Sequence, residues 1–106
     1  MATDIVIVFT TLGGDADATV LARTLVDERL AACVNVLPAM ASIYRWKGAV
    51  EQDREQLLLI KTTSARLERL QTRLRELHPY EVPEFLVVPA VGGSDAYLDW
   101  VRDSVG

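Results

Sequence analysis

The segment His78-Pro79-Tyr80-Glu81-Val82-Pro83-Glu84 concentrates more groups able to do chemistry than any other stretch of this 106-residue chain. It holds the only histidine, and two prolines stiffen the backbone around it. Imidazole and carboxylate suit Cu(II) and Zn(II), so His78 with Glu81, Glu84 or groups of a second subunit reads as a divalent-metal ligand set. The same histidine also fits a structural role, because an imidazole in a helix's last turn complements the dipole and bonds orphan carbonyls. Cys33, the only cysteine, is either a small packed side chain or a soft Cu(I) ligand. Tyr44, Trp46 and Lys61 form a second group. If their strands pair around Gly48, the rings and the lysine line a groove in which Lys61 meets an anionic ligand. The plainer reading is cross-strand aromatic packing with Lys61 reaching out to solvent. Glu51, Asp53, Arg54 and Glu55 read as a solvated strand end or as intersubunit ion pairs.

Missing motifs narrow the chemistry. Gly13-Gly14 belongs to neither a GxGxxG nor a Walker A loop. No serine sits in a nucleophile elbow. The segment Thr10-Thr11-Leu12-Gly13-Gly14 lacks the arginine that a ferredoxin-like acyl-phosphate hydrolase needs after its first strand. An enzyme is not expected. The net charge of −4 and the aliphatic strand centres count against nucleic acid as a partner. Half the residues are hydrophobic, which excludes a disordered chain, and 106 residues fit a single domain, 1–106. No apolar run approaches the roughly 20 residues that span a bilayer. Asp4 interrupts the N-terminal apolar run, so neither a signal peptide nor a membrane partner is expected. One cysteine makes no intrachain disulfide, and a reducing cytoplasm is the expected compartment.

The candidate residues need elements to hold them. Asp4–Thr10 is β-branched and reads as a strand. Asp15 or Asp17 caps a helix in which Ala18, Leu21, Ala22, Leu25, Val26 and Leu30 recur at helical spacing. Ala32–Leu37 is a second strand, ended or bent by Pro38. Extended character resumes at Ser42–Trp46, turns at Gly48 and returns over Val50–Thr62. A second helix starts near Thr63 or Ser64, carries Leu67, Leu70, Leu74 and Leu77, and ends by His78 because Pro79 follows. Phe85–Val88 is the last strand. Ser94 caps a C-terminal helix with Tyr97, Leu98, Trp100 and Val101.

The order β-α-β-β-α-β plus a terminal helix predicts an α+β fold. Its leading form is a ferredoxin-like βαββαβ sandwich with an antiparallel four-stranded sheet and an extended hairpin between the second and third strands. Ile5–Phe9, Leu57–Ile60 and Phe85–Val88 are apolar at consecutive positions, so they offer apolar side chains to both sheet faces. Two helices hide only one face. A bare apolar face of that size is rare on soluble monomers, and the chain has no spare element to cover it. Self-association is expected.

Several of these segments also carry a resemblance. Glu28-Arg29-Leu30-Ala31-Ala32-Cys33-Val34-Asn35, Ser42-Ile43-Tyr44-Arg45-Trp46-Lys47-Gly48, Leu59-Ile60-Lys61-Thr62-Thr63, the His78–Glu84 string and Tyr97-Leu98-Asp99-Trp100 resemble the CutA family of divalent-cation tolerance proteins. That resemblance implies a ferredoxin-like subunit and a homotrimer in which the strand edges of one subunit are extended by the next. It also implies a role in tolerance of copper and other divalent cations, with Cu(II) or a similar ion bound weakly and no obligatory cofactor. Ligands proposed in such members are a cysteine at the end of the first strand and a histidine pair before Pro-Tyr. This chain has Phe9 and Leu77-His78 there, so only His78 matches. A second role follows from likeness to ferredoxin-like trimers of the PII type: a signalling or scaffold module that holds a small anion in an intersubunit cleft near Tyr44, Trp46, Lys61 and Tyr80.

Overall fold

The computed structural model describes residues 3–106. Strand β1 (Ile5–Gly13) runs three residues past its expected end, because the backbone of Leu12 and Gly13 still pairs with Gln56 and Glu55. Helix α1 (Ala18–Asp27) follows, then β2 (Cys33–Val36), β3 (Met40–Trp46), the long β4 (Ala49–Thr63), α2 (Leu67–Leu77), β5 (Leu86–Pro89) and α3 (Asp95–Val105). A 3-10 turn over Ser64–Arg66 leads into α2. The sheet is antiparallel in the order β2-β4-β1-β5, with β3 also on β4. This is the expected α+β sandwich with its hairpin and terminal helix. None of the helices among the described residues is long and apolar enough to cross a membrane.

Five strands replace the four expected because the second one is broken at Pro38. Val36 faces Leu58 and Met40 faces Glu55, so residues 37–39 stand opposite only residues 56 and 57. That one-residue surplus is a β-bulge, and a proline without an N–H is tolerated at such a place. Beyond it, β3 and β4 form an arm closed by Lys47 and Gly48, both at positive φ (49° and 83°), as a two-residue primed turn requires.

Helix α1 stops three residues before Leu30, although Leu30 continues the apolar spacing. The Arg29 amide donates to the Val26 carbonyl and the Leu30 amide to the Leu25 carbonyl, each at 3.0 Å. This is a Schellman ending, and it places Leu30 against Leu25 in the core without further helix. Arg29 occupies the left-handed position at φ 59°, where glycine is usual. Asp17 stands at the N-cap of α1, but its carboxylate accepts from the Thr19 hydroxyl (2.6 Å) rather than from a helix amide. Ser94 caps α3 as expected, accepting from the Tyr97 amide.

The main core lies between one sheet face and the first two helices: Val8, Leu12, Leu58 and Ile60 against Leu21, Leu25, Leu70 and Leu74. Val34 and Val36 join it, which assigns Cys33 and Asn35 to the opposite face. Helix α3 covers one end of that opposite face, where Leu98, Val101 and Val105 pack on Ile5. Between α3 and the arm, Ile7, Phe9, Leu57 and Leu59 are only half-buried, and Leu86 on edge strand β5 is 58% exposed.

Candidate functional site

Side chains alternate along β4, so Glu51, Asp53, Glu55, Leu57, Leu59 and Lys61 share the face away from α1 and α2. Register brings Met40, Ser42 and Tyr44 beside Glu55, Asp53 and Glu51. The hydroxyl of Tyr44 donates to Asp53. Tyr80 arrives from the loop after α2 and donates its hydroxyl to Glu55 Oε2 at 2.9 Å. At the root of the arm, two tyrosines are therefore each bonded to a carboxylate, Tyr44 to Asp53 and Tyr80 to Glu55.

Glu55 is only 8% exposed, not the solvated strand end its charged neighbours imply. Its β1 partner is Gly13, which has no side chain to fill the space, and Tyr80 crosses over it instead. The carboxylates show in the titration of the phenols. The bond to Asp53 pushes Tyr44 up to about 12. Partial burial and then the bond to Glu55 push Tyr80 to about 12. Burial, followed by the charge of Glu55, raises the carboxyl of Glu84. The local field is negative and favours a cation over an anion.

His78 caps α2, its amide donating to the Leu74 carbonyl at 2.8 Å. The residue is buried, 7% exposed. Nε2 lies 2.7 Å from the carbonyl oxygen of Thr11 on β1, and Nδ1 lies 3.1 Å from the Tyr80 amide nitrogen. The ring also tilts against that of Tyr80, with centroids 4.7 Å apart.

The four expected metal ligands do not come together in one chain. Glu84 senses Glu55, whereas Glu81 lines a groove of about 440 Å³ with Gln71, Arg75 and Phe85 on the α2 side. Cys33 pairs in register with Lys61 near α3, and its Sγ lies 3.8 Å from Asn35 Oδ1. Among the described residues, no three His, Cys, Asp or Glu side chains converge as a metal site would need. Within one chain, His78, Glu81, Glu84 and Cys33 therefore form no shared centre.

The expected anion cleft is divided as well. Tyr44 and Tyr80 meet at the acidic cluster, but Trp46 stands at the tip of the arm under the Lys47 ammonium. Lys61 lies 5.8 Å from the centroid of the Tyr97 ring on α3. Trp46 pairs with Ala49, twelve residues along β4 from Lys61, a distance of about 40 Å in a strand. A groove shared by Trp46 and Lys61 within one chain is excluded by that distance.

A family model described as CutA1 divalent ion tolerance protein matches residues 6–104. The divalent-cation tolerance protein CutA of Thermus thermophilus is 47% identical over 100 residues, covering 94% of this chain and 97% of that protein. Protein CutA of Homo sapiens is 46% identical over 94 residues, covering 89% of this chain, which spans only 52% of the human protein. The solved structure of the Thermus thermophilus protein superposes with a TM-score of 0.92 at 46% identity, covering 96% and 99% of the two chains. CutA from Xylella fastidiosa gives 0.93 at 41% identity, covering 98% and 100%. The chain belongs to the CutA1 family of divalent ion tolerance proteins.

Proposed function

We propose that this protein serves divalent-cation tolerance in the cytoplasm as a homotrimer, holding Cu(II) or a similar ion weakly at carboxylates that a neighbouring subunit helps enclose. One observation carries this reading: Asp53 and Glu55 lie on the same sheet face as the half-covered strip of Phe9, Leu57, Leu59 and Leu86. A second copy that covers the apolar strip also walls in the carboxylates. Enclosure lowers the local dielectric and strengthens their hold on a cation. Oxygen-rich surroundings without a free imidazole or thiol make for weak, poorly selective binding of borderline metals.

Calorimetric titration of the metal-free protein with Cu(II) at pH 7 tests the reading. Saturable binding that weakens at least severalfold in Glu55→Gln and Glu84→Gln is expected. No binding, or binding indifferent to both substitutions, would remove the carboxylate cluster from the mechanism.

A further inference from the structure

The bonds of the His78 ring fix its chemical state. A backbone amide only donates, so Nδ1 must offer its lone pair to Tyr80 N–H. A backbone carbonyl only accepts, so Nε2 must carry the proton directed at the Thr11 oxygen. The imidazole is therefore the neutral Nε2–H tautomer with neither nitrogen free. The bonds also tie three elements together. Strand β5 pairs with β1 only over Val6–Phe9, and the Thr11 carbonyl lies beyond that ladder. His78, fixed at the end of α2, takes that orphan acceptor and at the same time holds the first amide after Pro79. Tyr80 is thereby aimed at Glu55.

We infer that His78 is a positioning residue that sets the 78–84 loop and, through Tyr80, fixes the Glu55 carboxylate, and that it does not ligate metal. An ion on either nitrogen would have to take a lone pair already given to Tyr80 or displace the proton held by Thr11. The inference stands whether or not the carboxylate cluster binds an ion.

As the only histidine of the chain, His78 gives imidazole 15N signals that need no assignment. In the natural-sequence protein these signals are expected to show the neutral Nε2–H tautomer and to stay in place when Zn(II) is added. Variants read the second half of the inference through hydrogen exchange at the Tyr80 amide. His78→Asn keeps an acceptor for that amide, as an Asx turn does, whereas His78→Leu keeps the bulk and offers no acceptor. Exchange is expected to quicken about tenfold in His78→Leu, the loss of one ordinary hydrogen bond, and to remain near the original rate in His78→Asn. Ring signals that move with Zn(II), an Nδ1–H tautomer, or an asparagine variant that fails to restore protection would overturn it.

Discussion

At the scale of single residues, the tyrosine–carboxylate contacts make alkaline stability a direct readout. Tyr44 and Tyr80 titrate near 10 in an unfolded chain and at about 12 in the fold. A raised folded pKa means that the native state keeps its protons longer. The stabilisation is complete below about pH 10 and lost as pH rises toward about 12. Urea midpoints compared between the natural chain and a Tyr44→Phe/Tyr80→Phe double variant should converge across that window; parallel curves would refute the linkage. Tyr80→Phe alone strips buried Glu55 of its partner and should cost about 1–3 kcal/mol near neutral pH. Glu55 itself was not legible in the sequence. Nothing in Glu51, Asp53, Arg54 and Glu55 marks which carboxylate is buried, since that depends on a glycine opposite and on a ring arriving from 25 positions away. His78 was legible as a special residue in a helix's last turn. The competition between metal ligand and structural tie needed the Thr11 and Tyr80 partners to resolve it.

At the scale of elements, period and punctuation carried most of the fold. Apolar runs gave the strands, and Pro79 marked the end of α2. Ser94 was recognisable as a cap from its position before Tyr97, Leu98, Trp100 and Val101. The misplaced boundary, Leu30 at the end of α1, is a case in which two structures satisfy one pattern: a Schellman ending buries Leu30 as well as another helical turn would. Arg29 carries strain there, because a non-glycine residue at φ 59° costs roughly 1–2 kcal/mol. Arg29→Gly relieves it but gains unfolded-state entropy, so a net stabilisation of up to about 1 kcal/mol is expected. A lowered urea midpoint for that variant would show that the Arg29 side chain contributes more than its backbone costs. The register shift at Pro38 was not readable beforehand. A proline signals an interruption, but the surplus residue exists only relative to β4.

At the scale of the molecule, shape and exposure agree. The radius of gyration is 14.4 Å, against about 13 Å for a compact chain of this length, because the β3–β4 arm projects from the body. On that arm Ile43 and Val50 are 69% and 66% exposed. A two-stranded ribbon is marginal alone in water, and the strip of Phe9, Leu59 and Leu86 lacks a covering layer. Two-faced apolar runs made this deficit visible before any coordinates. The proposed number of copies, three, rests on the family resemblance, because a bare face does not count its partners. Light scattering on the eluting protein at pH 7, with Leu86→Asp run beside it, measures the assembly directly. The account predicts a mass of three 11.7 kDa chains, falling or dispersing when the charge is placed on β5. A stable single-chain mass for the natural sequence would contradict it.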